Sequence, residues 1–116
     1  MVDNARVRTE FRDGVVLATV RCEKITDFDT AALQGDIADA AKLHGWRLII
    51  NMSGVELMGS SGISLLVSLR KLADAGGGRL VVCGLNDNLV GMLKVTNLLK
   101  LFKLAKTHDD AMELMK

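Results

Sequence analysis

Aromatic residues are nearly missing from this chain of 116: three Phe, one Trp and no Tyr. Their scarcity argues against the stacked-ring platforms that hold single-stranded nucleic acid. An excess of one charge is missing too. Fifteen Lys and Arg stand against 14 Asp and Glu, a net charge of +1, so no electrostatic case exists for direct nucleic-acid binding. Only two cysteines occur, Cys22 and Cys83, far apart in segments that read as strands. Lacking a disulfide-framework spacing, they read as buried, reduced thiols of a cytoplasmic protein. No apolar run approaches the roughly 18 residues of a spanning helix. The polar start, MVDNARVRTEFRDG, is not a signal peptide. These absences leave a small cytoplasmic domain without membrane insertion.

What is present suits one globular core. Hydrophobic residues make up 49% and charged residues 25%, and the length is that of one domain spanning residues 1–116. VRTEF and VVLATV flank Asp13-Gly14, the two-residue signal of a type I′ hairpin. TDFDTAALQGDIADAAKLHG follows, with Thr26, Asp27 and Asp29 as candidate N-caps. Its apolar positions Ala32, Leu33, Ile37, Ala40, Ala41 and Leu43 recur at helical spacing, and Gly45 is the stop. WRLIINM is a nearly continuous apolar run, as in a strand covered on both faces. A second helix is expected from about Ser61 to Ala75, then a buried strand over Arg79 to Gly84. A third helix should run from Asn86–Asn88 to about Val95. Leu93 to Lys106 could also be drawn as one cationic amphipathic helix on a membrane. Thr96-Asn97 is a better stop, and LKLFKL beyond it alternates as an edge strand would. Thr107 or Asp109 caps a short last helix. The order β-β-α-β-α-β-α-β-α predicts an α/β fold: a mixed sheet of four to five strands with an N-terminal β-hairpin and about four helices.

The chemistry concentrates in LMGSSGISLLVSL. A serine between strand and helix suggests an esterase elbow, but Gly59-Ser60-Ser61-Gly62 fails the G-x-S-x-G spacing. His44 and His108 are not placed to act as base, and two His with two scattered Cys make no metal site. The glycine-flanked helix start offers free N–H groups to a phosphate, but no Lys-Ser/Thr pair of a Walker loop follows. The chain therefore reads as a non-enzyme without a cofactor. That leaves the serines as helix caps, worth roughly 1 kcal/mol over Ala, or as acceptors of a covalent phosphate. Local physics alone favours the cap for both.

The ordered set of LIINMSGVELMGSSG, the glycine-rich turn before RLVVCGL, and VTNLLKLFKL resembles the STAS domain, the fold of bacterial anti-sigma factor antagonists. In that family an Asn- or Asp-leu-Ser element ends a strand, matched by Asn51-Met52-Ser53. An Asp-Ser-Ser-Gly-type loop opens a long helix, matched by residues 59–62. The resemblance implies a phosphoacceptor at Ser60, with Ser61 as the alternative. It implies a partner surface of Asp27, Phe28, Met58, Gly59, Ser60, Ser61 and Ser64. The implied partner is an anti-sigma factor that is itself a serine kinase, and unphosphorylated protein would bind it and free a sigma factor. For Met58 and Phe28 ordinary core packing is the competing expectation. Gly59 departs from the family pattern, because an Asp usually precedes the first serine. The rival expectations are a phosphorylation-independent scaffold, as in stressosome-like assemblies or a lipid-transport ABC complex, and a small-molecule or nucleotide binder.

Overall fold

The computed structural model describes residues 2–116. Its chain begins with a hairpin, β1 (Val7–Arg12) and β2 (Val15–Val20). Asp13 and Gly14 both have positive φ, 54° and 79°, as a type I′ turn requires. Glycine suits the second position because it carries no Cβ. Two-residue β3 (Lys24–Ile25) leads into α1 (Asp27–Lys42), and β4 (Arg47–Asn51) follows. Two-residue β5 (Leu57–Met58) leads into α2 (Ser60–Ala75). The remainder is β6 (Arg79–Cys83), α3 (Asp87–Val95), a 3₁₀ turn (Leu99–Leu101), β7 (Lys103–Ala105) and α4 (His108–Met115).

Five strands form one sheet in the order β1-β2-β4-β6-β7; β1 is antiparallel to β2 and the other pairs are parallel. The expected mixed sheet and four helices are all present. The alternation within β4 explains its continuous apolar run. Leu48 and Ile50 join the main core with Leu33, Ile37, Leu66 and Leu69 of α1 and α2. Ile49 points the other way, packing with Val81, Cys83, Ala111 and Met115 beneath α4. Both faces are therefore covered, as a parallel sheet needs. The first residues of β4 and β6 also hold the far end of α4. Arg47 Nη2 donates to the Met115 carbonyl (2.6 Å) and Arg79 Nη1 to that of Leu114 (2.8 Å), putting cations at the negative end of that helix.

Two expectations need correcting, and the expected helix stop at Thr96-Asn97 holds. Cys22 lies outside the strands, half-buried between β2 and β3, with its thiol donating to the Arg6 carbonyl (3.8 Å). LKLFKL is only partly strand: Leu99–Leu101 closes a 3₁₀ turn, Phe102 is buried, and pairing begins at Lys103. Phe102 anchors the segment in the core, so its residues cannot simply alternate in and out. The single amphipathic helix over Leu93 to Lys106 does not form, because Asn97 takes φ 60° after Val95 and ends α3. No helix among the described residues is long and apolar enough to cross a membrane.

Candidate functional site

Two short strands that periodicity does not reveal organise the site. β3 and β5 pair in parallel, Lys24 with Leu57 and Ile25 with Met58. The link before β5 is tied in as well, for the Glu56 and Leu57 amides both donate to the Glu23 carbonyl (2.8 and 3.1 Å). α1 begins two residues after Ile25 and α2 two residues after Met58. The pairing thus brings two helix N-termini, and the positive ends of two helix dipoles, side by side.

The two ends are finished differently. Thr26 precedes α1 in an extended conformation, and its amide and hydroxyl both donate to Asp29 Oδ2 (3.1 and 2.8 Å). This is the backward arm of a capping box. Arg6 Nε adds a bond to Asp29 Oδ1 (3.2 Å). The Thr26 amide, its hydroxyl and then Arg6 hold the Asp29 carboxyl below its ordinary range. Asp27 and Asp29 give α1 two acids in its first turn, whereas α2 has none.

The residue that opens α2 is Gly59. It is extended (φ −87°, ψ −170°), and its carbonyl accepts from the Gly62 and Ile63 amides (3.0 and 3.3 Å). Ser60 and Ser61 are therefore the first two helical residues, and neither is the N-cap that local physics favoured. The physical reason is one of register. An N-cap keeps non-helical dihedrals, and β5 holds the chain extended as far as Gly59. Ser60 is exposed. Ser61 Oγ is buried and has no hydrogen-bond partner among the described residues.

A shallow cleft of about 630 Å³ lies between the two helix starts. Asp27, Phe28, Met58, Gly59 and Ser61 line it, together with Lys24 and Leu57. Five of the seven expected surface residues thus share one cleft. Ser60 stands exposed beside it, and Ser64 faces an adjoining depression with Ser61, Thr30 and Gln34. The two apolar members separate. Met58 is 5% exposed and belongs to the core, whereas Phe28 is 91% exposed. Core packing is right for Met58 and wrong for Phe28. Gly62 locks this arrangement, because a Cβ there would lie 2.8 Å from Met58 Cβ.

The STAS domain family model matches residues 6–111. The chain belongs to the STAS domain family. Solved structures carry the same fold. An anti-sigma factor antagonist from Mycobacterium paratuberculosis is 26% identical, with TM-score 0.81, covering 94% of this chain and 92% of that one. A STAS domain protein from Planctomyces limnophilus, described as an anti-sigma-factor antagonist, is 22% identical, with TM-score 0.84 and coverage of 98% and 100%. The Bacillus cell-fate determinant SpoIIAA in its phosphorylated form is 17% identical, with TM-score 0.70 and coverage of 95% and 99%. Within this STAS domain, the Asn51 side chain accepts from the Ser53 amide (3.0 Å), closing the turn after β4. Asn86 caps α3 by accepting from the Leu89 amide (2.9 Å) and donates to the Val55 and Glu56 carbonyls (3.3 and 3.2 Å). Asn86 therefore braces the loop that delivers β5 to the site, a role beyond the helix start expected at Asn86–Asn88.

Proposed function

We propose that this STAS domain is a cytoplasmic anti-sigma factor antagonist switched by phosphorylation of Ser60. Unphosphorylated, it binds an anti-sigma factor that is also a serine kinase, and a sigma factor is released. The kinase supplies the chemistry; this chain is its substrate and its ligand. The observation that carries the reading is the exposure of Ser60 at the first position of α2, beside a cleft carrying the solvent-facing Phe28. Ser61 is the weaker acceptor, because its hydroxyl is buried. One structural neighbour, SpoIIAA, is known in both phosphorylated and unphosphorylated forms.

A phosphate on Ser60 adds about −1.5 to −2 charges at a helix end that favours anions by roughly 0.3–1 kcal/mol. The domain itself stays folded. The penalty falls on the complex, where the dianion must be buried against a partner. A cost of about 3–4 kcal/mol there weakens binding several hundred-fold.

A second reading keeps the fold and drops the switch: a phosphorylation-independent interaction subunit. Gly59, with no acid in the first turn of α2, favours it, since a kinase that reads an Asp before its serine would find none. Intact mass of the protein from its own host, wild type against Ser60→Ala, separates the two. A phosphate increment lost in the variant supports the switch. Its absence in growing and in stressed cells supports the scaffold.

A further inference from the structure

The pole of the molecule opposite Ser60 carries a second surface. α2 runs from Ser60 to Ala75, roughly 24 Å at 1.5 Å per residue, and ends just before β6. At that end the parallel strands begin, with Arg47 and Arg79 as register partners and Lys103 as the first residue of β7. A depression of about 380 Å³ is rimmed there by Arg70, Arg79, Lys100 and Lys103. Its one lining carboxylate is Asp74, 3.5 Å from Arg70. Arg79 spends one guanidinium nitrogen on the Leu114 carbonyl. Lys100 and Lys103 are exposed and make no ion pair or hydrogen bond among the described residues. Arg79 also lines an adjoining depression with Arg47 and Lys116, and Lys116 is itself paired with Glu113 (2.9 Å).

Two further features select the occupant. β7 ends the sheet and pairs only with β6 among the described residues, which leaves its outer row of amide and carbonyl groups open. The floor of the depression is apolar, formed by Leu80 and Phe102, 7% and 8% exposed, with Leu101 more exposed on its rim. We propose that this pole docks an extended acidic segment of a protein partner, which adds as a strand to β7. Its acidic side chains, on the face that Lys103 shares with Val81, would meet Lys103 with Lys100 beside it, and the alternate aliphatic side chains, on the opposite face, would reach the floor. Strand addition draws affinity from the main chain and specificity from alternate side chains, and charge complementarity fixes the register. A membrane is a poorer occupant because Leu80 and Phe102 are recessed and Leu101 is the one large apolar side chain exposed along this lining. A nucleic acid is poorer because nothing exposed here stacks on a base.

Amide NMR of the ¹⁵N-labelled full chain tests this, using a seven-residue peptide that alternates Asp or Glu with Val or Ile. Expected are shifts centred on residues 80 and 103–105, with binding weakened at least about tenfold in the Lys100→Glu/Lys103→Glu variant. Both lysines are exposed, so the variant should melt with wild type. Milder Lys103→Gln should weaken binding in the same direction if the double variant does not fold. The Asn/Gln counterpart of the peptide should bind at least about tenfold more weakly. Equal binding of the two peptides, shifts outside this pole, or binding of a single-stranded DNA 12-mer or phosphatidylglycerol vesicles in place of the peptide would overturn the proposal.

Discussion

Ser60 and Ser61 differ by one helical position and by everything that decides their chemistry. Because Ser60 follows the cap and is exposed, Ser60→Ala should leave stability within about 0.5 kcal/mol of wild type. Ser60→Asp should abolish partner binding while the melting temperature holds or rises slightly, since an acid at a helix start is favourable. A fall worth about 1 kcal/mol in urea unfolding would instead mark Ser60 as structural. Ser61→Ala removes a buried hydroxyl without a partner, so its stability should be unchanged or higher. The Gly-Ser-Ser-Gly run was legible as a helix start, but the residue that caps it was not, because boundaries blur by a residue or two. The exposure of Phe28, against the competing expectation of core packing, follows from helix phase. Phe28 lies five positions before Leu33, about 140° round the helix from the buried stripe of Leu33, Ile37 and Ala40 at 100° per residue.

At the scale of elements, α1 and its twin start expose what the sequence pattern misses. Two-residue strands have no periodicity to detect, so β3 and β5 were invisible although they bring the site together. The longer buried strands declared themselves through apolar runs, and Asn97 through its tolerance of positive φ. The start of α1 carries a pH-dependent contribution. Thr26 and Arg6 lower the Asp29 pKa in the folded state. Its stabilisation is therefore complete above the ordinary carboxylate range, about 4, and is lost as pH falls through the lowered value. The carboxylate is 19% exposed, which leaves its ion pair with Arg6 partly screened by solvent. Asp29→Ala should cost about 0.5–2 kcal/mol at neutral pH. That difference should shrink in urea melts as pH drops toward about 2. A gap that persists in acid would assign the loss to packing rather than to the carboxylate. Gly62→Ala acts on the twin helix, forcing Met58 and Gly62 apart, and should cost about 1–3 kcal/mol by overpacking.

For the whole molecule, composition concealed the layout. A balance of 15 against 14 charges says nothing of where they lie, and register is what collects Arg47 and Arg79 at one end of the sheet. The same two arginines bear on how the second core opens. Cys83 lies in that core with Ala111 and Met115 of α4, and burial pushes its thiol up to about 11. At about pH 8 roughly one molecule in a thousand would carry the thiolate even if a reagent could enter. Labelling therefore reports opening events, in which α4 lifts away and the thiol regains its ordinary acidity. In a Cys22→Ser background, iodoacetamide should modify Cys83 only slowly in the native protein. Arg47→Ala removes the 2.6 Å bond to the Met115 carbonyl and should speed labelling several-fold. Two outcomes separate local from global opening. If the rate rises by more than the change in global stability measured by urea unfolding, α4 opens on its own. If the two changes match, α4 leaves the sheet only when the whole chain unfolds.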